Sequence, residues 1–171
     1  MTGPPEVRPA SPRDAITLAR CHVACWREAY VGIVPADTLA ARTGDLDARI
    51  LRWEDILRTG PRRTWLAAAG DQALGFACAG AGRDDDLQHL PELYALYVRA
   101  SEHGSGLADR LVGPAIGLAP AYLWVAAENP RALRYYQKIG FRLDGRSKID
   151  RFLGGIREVR MTRTHGSPVQ R

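Results

Sequence analysis

Apolar positions along the chain change period several times, and each change marks an element. Val7–Ala10 reads as a short strand. Ser11-Pro12 then opens a helix over about Arg13–Ala29, with Ile16, Ala19, His22, Val23, Trp26 and Tyr30 on one stripe. The apolar loop Val31-Gly32-Ile33-Val34-Pro35 follows, and Asp37 begins a second helical region reaching about Arg58. Thr64–Ala69 and Ala73–Ala79 flank Gly70-Asp71, the turn pair of a β-hairpin. The acidic loop Arg83-Asp84-Asp85-Asp86 leads to a strand over Glu92–Val98. A Gly-rich turn, His103-Gly104-Ser105-Gly106, opens a helix to about Ile116, and Tyr122–Ala126 is a fifth strand. Asn129-Pro130 starts a helix from Arg131 to about Ile139 that stops at Gly140. Phe141–Arg163 reads as two strands joined near Gly154-Gly155. The predicted order, β-α-α-β-β-β-α-β-α-β-β, mixes hairpins with helical crossovers. It implies an α/β (α+β mixed) fold whose sheet is mixed rather than purely parallel.

One domain is expected over residues 7–163, between loose tails at 1–6 and 164–171 that are small, polar and proline-bearing. The chain has 171 residues, 46% hydrophobic and 25% charged, which suits one domain with a real core and excludes a disordered or collagen-like chain. A net charge of +5 leaves nucleic acid, an acidic surface and a phosphorylated small molecule open as partners. Lys138 and Lys148 are the only lysines, so arginine carries the charge. Arginine grips phosphate or carboxylate with paired donors, but a GC-rich genome yields the same excess.

Cys21, Cys25 and Cys78 are too few, and odd in number, for a secreted disulfide framework. Cys21 and Cys25 with His22 between lack a second ligand pair, so buried thiols are expected, and no metal. A reducing, cytoplasmic setting follows. Met1–Glu6 shows no signal-peptide pattern. Leu111–Ala127 is uncharged but carries Gly113, Pro114, Gly117 and Pro120, which break it into helix end, turn and strand; no membrane partner is expected.

Three glycine-loop templates fail on Glu102–Asp109. A Walker loop needs Lys-Ser/Thr where Leu107-Ala108 stand, and a dinucleotide fingerprint needs glycine at Asp109. A nucleophile elbow at Ser105 needs glycines at His103 and Leu107. What remains is a strand, a turn of small residues and a helix start, whose free N–H groups and dipole suit an anion such as a diphosphate. A tight connection without a ligand would read the same way.

The run Leu96-Tyr97-Val98-Arg99-Ala100-Ser101-Glu102-His103-Gly104-Ser105-Gly106-Leu107-Ala108 resembles the pyrophosphate motif Gln/Arg-x-x-Gly-x-Gly/Ala of GNAT-type N-acetyltransferases. Asn129, Ala132, Tyr136, Lys138, Gly140 and Phe141 match a second motif of that family, and Trp26–Pro35 is similar to many small bacterial members. His103 replaces the usual Gln or Arg, and Ala100 a common proline.

The resemblance implies a mostly antiparallel central sheet with two splayed strands, flanked by helices. It also implies transfer of acetyl from acetyl-CoA, the acyl-donor cosubstrate, to a primary amine of a small molecule or peptide in a ternary complex. On this resemblance Leu96, Tyr97 and Val98 would take the pantetheine arm. His103, Gly104, Ser105, Gly106, Leu107 and Ala108 would hold the diphosphate, with Asn129, Ala132 and Tyr136 completing the cofactor site. Glu92, six residues before Val98, matches a catalytic glutamate of the histone-acetylating branch; without a bulge it shares a strand face with Leu96 and Val98. A solvated carboxylate after Pro91 is the alternative. Tyr136 matches the tyrosine that protonates the CoA thiolate, or else packs as core beside Tyr135. Trp26, Tyr30, Glu92 and Trp124 are the acceptor-pocket candidates, and Asp84–Asp86 offers an attraction for a cationic amine. Rival readings are a regulatory module that holds acyl-CoA without turnover and a nucleic-acid-binding domain. The latter lacks a basic helix, a zinc spacing or an RNA-binding aromatic signature, so no nucleic-acid partner is expected. A homodimer stays open.

Overall fold

A computed structural model describes residues 4–164. The elements are β1 (Glu6–Pro9), α1 (Ala15–Tyr30), α2 (Ala36–Gly44), α3 (Leu46–Thr59), β2 (Arg63–Ala69), β3 (Gln72–Ala81), β4 (Pro91–Val98), α4 (Leu107–Ile116), β5 (Ala121–Ala126), α5 (Pro130–Lys138), β6 (Arg142–Asp150) and β7 (Ile156–Arg163). They build one seven-stranded sheet in the order β1-β2-β3-β4-β5-β7-β6. Every neighbouring pair is antiparallel except β4 and β5. Among the described residues no helix is long and apolar enough to cross a membrane.

Two local differences from the expected elements have plain causes. The second helical region is two helices: the chain breaks at Asp45, whose extended backbone lets its Oδ1 accept the Ala48 N–H at 2.9 Å and cap α3. Glu6, expected in a tail, pairs with Ala68 in the first strand. Helix α4 ends at Ile116 as expected, running through Gly113 and Pro114 before Gly117, at φ 58°, turns the chain. The expected tail at 164–171 lies almost wholly outside the described residues.

Alternation along the strands divides the apolar residues between the two faces of the sheet. Ala67, Ala77, Leu93, Leu123, Val125 and Met161 pack on one face with Leu107, Leu111, Val112 and Ala115 of α4 and Tyr136 of α5. Leu66 and Phe76 pack on the other with Leu18, Ala19, Cys21 and Cys25 of α1 and Trp53 of α3. A smaller cluster of Val34, Leu39, Ala126, Leu153 and Ile156 closes the end of that second face.

One extra residue in β4 changes the phase of this alternation. Cys78 pairs with Ala95 but Ala79 pairs with Leu93, so Tyr94 is a β-bulge. Gly80 leaves room for it, since a Cβ there would lie 2.6 Å from the Tyr94 hydroxyl oxygen. Beyond the bulge Leu96 and Val98 side with Leu93 and the α4–α5 core, while Ala95 and Tyr97 join the α1–α3 core. Glu92 therefore does not share a face with Leu96 and Val98, and the bulge is the reason.

Arg163, 1% exposed, fixes the turn that feeds β5. Its guanidinium donates to the Gly117 carbonyl at 2.7 Å and the Ala119 carbonyl at 2.8 Å, and it stacks 4.8 Å from the Phe141 ring centroid. Arg163→Leu strands both carbonyls without a donor, and the expected loss is about 2–4 kcal/mol of unfolding free energy in urea titration. A loss too small to measure would mean that the turn is held by its glycine alone.

Candidate active site

Strand β4 meets β5 at only two residue pairs, Glu92 with Tyr122 and Leu93 with Leu123. Past Leu93 the strands part, and the β4 edge from Ala95 to Val98 has no strand partner on that side. A cleft of about 950 Å³ runs along the gap and is lined by residues from both faces of the sheet. Leu96, Tyr97, Val98, His103, Gly104, Gly106, Leu107, Ala108, Asn129, Ala132 and Tyr136, the residues expected to hold a cofactor, all line it. So do Trp26, Tyr30, Glu92 and Trp124, expected to face an acceptor. Ser105 does not: its hydroxyl donates to the Glu102 carbonyl at 2.8 Å and accepts from the Leu107 N–H at 3.3 Å, which braces the turn.

At one end of the cleft the turn enters α4. Gly104 and Gly106 have φ of 84° and 82°, a region open to glycine and costly for other residues, although a Cβ at either would meet open space. Conformation, not crowding, demands glycine here. Among the described residues the N–H groups of Gly104, Gly106 and Ala108 have no acceptor. They face the same end of the cleft as the α4 N-terminus, a donor set that fits a diphosphate. His103 spans from this turn to α5: its Nε2 donates to the Val98 carbonyl at 3.2 Å, and its Nδ1 accepts from Arg131 at 3.1 Å. Arg131, Arg134 and Lys138 line the cleft nearby. Asn129 caps α5, its Oδ1 accepting the Ala132 N–H at 3.1 Å.

Tyr136 lies midway, 8% exposed and packed against Phe141. Its hydroxyl has no hydrogen-bond partner among the described residues yet stays open to the cleft. Burial, with a smaller effect from Tyr30, pushes its ionisation well above that of an ordinary phenol. The group is a neutral O–H donor at any physiological pH. Tyr135 points elsewhere and donates to Asp109 at 2.9 Å.

The second face holds an aromatic recess. The Tyr30 and Tyr97 hydroxyls meet at 3.1 Å, Trp26 packs edge-on to Tyr30, and His22 sits among Trp26, Trp53, Phe76 and Tyr97. Burial, assisted by Arg49 and Arg52, lowers the His22 pKa to about 3, so it is a neutral core imidazole. Glu92 is 1% exposed. Its carboxylate accepts from Arg83 Nε at 2.9 Å, Arg83 Nη2 at 2.6 Å, the Arg83 N–H at 3.2 Å and the Tyr122 hydroxyl at 3.0 Å. A carboxylate so clamped is a brace between β4, β5 and the loop after β3. The acidic stretch Asp84–Asp86 is likewise engaged: Arg160 donates to Asp84 at 2.9 Å and to Asp86 at 2.7 Å, and Trp124 Nε1 donates to Asp84 at 3.0 Å. It is not a free lure for a cation.

Sequence reasoning missed Arg83, Tyr122 and Glu158. Glu158, on β7 opposite Ala126, lines the cleft on the aromatic face. Its even-numbered phase with Arg160 along Ile156–Met161 was the available signal, but no motif marks it. Among the described residues no three His, Cys, Asp or Glu side chains gather as a metal site.

The sequence model of the Acetyltransferase (GNAT) family matches residues 19–141. A probable N-acetyltransferase of Mycobacterium tuberculosis is 28% identical over 160 residues, 88% of this chain and 87% of that protein. A peptidyl-lysine N-acetyltransferase of Escherichia coli is 32% identical over 88 residues, 50% of this chain and 54% of that protein. The crystal structure of the PaiA N-acetyltransferase of Thermoplasma acidophilum, in complex with coenzyme A, superposes with a TM-score of 0.72 at 18% identity, covering 94% of this chain and 99% of that one. The splayed parallel pair, the donor-lined turn and the matched sequence agree: this chain belongs to the GNAT acetyltransferase family.

Proposed function

We propose that the chain transfers the acetyl group of acetyl-CoA to a primary amine of a small molecule or peptide, with donor and acceptor bound together. The continuity of the cleft carries this reading. Unpaired N–H groups at the α4 start, the open β4 edge, the Tyr136 phenol and the aromatic recess lie along one channel through the sheet. When bound, acetyl-CoA supplies a thioester carbonyl for attack and a thiol as leaving group.

The protein's share is positioning, polarisation and proton transfer. Gly104, Gly106 and Ala108 hold the diphosphate through backbone N–H groups and the α4 dipole. Leu96–Val98 takes the pantetheine arm as an added strand would, and an N–H there orients the carbonyl. Tyr136 gives its proton to the departing sulfur, a role that its neutral, open hydroxyl suits. Glu92 holds the apex of the gap through Tyr122 and Arg83 and takes no proton itself. The match to a peptidyl-lysine acetyltransferase favours an acceptor of the lysine type. The free thiols of Cys21, Cys25 and Cys78 fit a reducing, cytoplasmic setting.

Thiol release measured over an amine panel tests the activity; tight CoA binding with no turnover on any amine would favour a non-catalytic acyl-CoA module. Gly106→Glu puts a carboxylate and a strained backbone at the diphosphate, and CoA affinity by calorimetry is expected to fall at least about 100-fold. Unchanged affinity would move the cofactor site elsewhere. Tyr136→Phe is expected to cut turnover by about 100-fold while CoA affinity stays within about twofold. Equal losses in both would make Tyr136 a packing residue. Glu92→Gln is expected to lower the melting temperature while leaving the shape of the pH–rate profile unchanged; a lost acid limb would restore Glu92 as the base.

A further inference from the structure

Glu158 is the carboxylate on the aromatic side of the cleft that the fold braces least. It pairs across the sheet with Ala126, on the part of β5 that β4 has left, so it stands beside the gap. Its side chain is 14% exposed, and its side-chain partner among the described residues is Lys148. A nearly buried carboxylate normally has donors to offset its lost hydration. Here the one ion pair is with Lys148 at 3.5 Å, and the Lys148 side chain is 45% exposed on the edge strand β6. Glu92 and Asp150 differ in kind. Glu92 is clamped by Arg83, and Asp150 accepts the N–H groups of Phe152 and Leu153.

The Lys148 ammonium marks what the place prefers. It lies 4.1 Å from the Trp124 ring centroid while reaching towards Glu158, a carboxylate and an aromatic face sharing one cation. Trp124 is itself oriented by its hydrogen bond to Asp84. Tyr30, Phe152 and Leu153 line the surrounding cleft, apolar surface suited to an alkyl chain.

Resting on the acetyltransferase reading above, we infer that Glu158 and Trp124 form the ammonium site of the acceptor, that the substrate's ammonium displaces that of Lys148, and that Glu158 takes its proton. The acceptor class is then a primary alkylamine, cationic at neutral pH. One proton leaves the ammonium before attack and frees the lone pair; a second leaves as the new C–N bond forms and the C–S bond breaks. Glu158 accepts the first and releases it to solvent; the second restores the proton that Tyr136 gives to the sulfur. Acid and base thus stand on opposite faces of the sheet, with the gap between them.

The charged and titratable groups facing Glu158 are Lys148 and Asp150 from β6, Arg83 from the loop after β3 and Tyr30 from α1. Burial raises the Glu158 pKa from that of an ordinary glutamate, against the lowering pull of Lys148, which brings it nearer the work of a general base. The ionised form is the active one, so turnover falls as pH drops through that raised value.

The test compares wild type, Glu158→Gln and Lys148→Met on n-butylamine, a lysyl peptide and aniline, with CoA affinity measured in parallel. Glu158→Gln is expected to lose about 100-fold in kcat/KM on the two alkylamines at pH 7 and to narrow the deficit about tenfold per pH unit as the bulk amine deprotonates. Aniline, already neutral, is expected to lose less than about threefold, and CoA affinity is expected to hold. Lys148→Met, which removes the competing cation, is expected to lower KM for butylamine several-fold. Equal loss on aniline and butylamine, or an alkylamine rate unaffected by Glu158→Gln, overturns the inference and leaves the acetyltransferase reading standing. No turnover of any amine by wild type overturns both.

Discussion

Two residue pairs join β4 to β5, and everything functional in the molecule depends on there being no more. A parallel pair of strands normally continues for as long as both strands last, because unpaired backbone groups are costly once water is removed. Here the pairing ends at Leu93 and Leu123, and the unpaired edge lines the cleft. The side chains at the last paired levels keep the gap from closing or tearing. Tyr122 donates to Glu92 across the two strands, and Arg83 holds the same carboxylate from the loop after β3. Glu92 gains its importance from this position at the apex.

Local patterns showed most elements because each has a short-range cause. The Gly70-Asp71 hairpin, the Gly104–Gly106 turn and the Asn129-Pro130 helix start are fixed by backbone preferences of a few residues, and all three stand where the sequence puts them. The break at Asp45 was hidden because both flanking segments are amphipathic at helical spacing and Gly44-Asp45 is a modest signal. The bulge at Tyr94 was hidden for another reason. Its cause is long-range, an aromatic ring seated over Gly80 two strand positions from its own register, and nothing within β4 announces it.

The site was legible to the same degree and for the same reason. Backbone-driven parts, the glycine turn and the α5 start, could be placed on the cleft from motif spacing. Side-chain alliances could not. That Glu92 would be spent on Arg83, Asp84 and Asp86 on Arg160, and Glu158 left with a loosely held lysine depends on strands that meet only in the folded sheet. The arginine excess has a similar outcome. Arg160 gathers Asp84, Asp86 and Asp144, and Arg163 closes a turn, so much of the positive charge is structural mortar.

The bulge at Tyr94 also separates two constraints that a regular strand would bind together. In an unbroken β4, whatever constrains Glu92 at the apex would constrain the phase of every later residue. With one residue inserted, Leu96 and Val98 answer to the α4–α5 core and Ala95 and Tyr97 to the α1–α3 core. Ala95 can then change the aromatic side of the cleft while the α4 side keeps its contour. A change on one side of the strand then need not disturb the packing on the other.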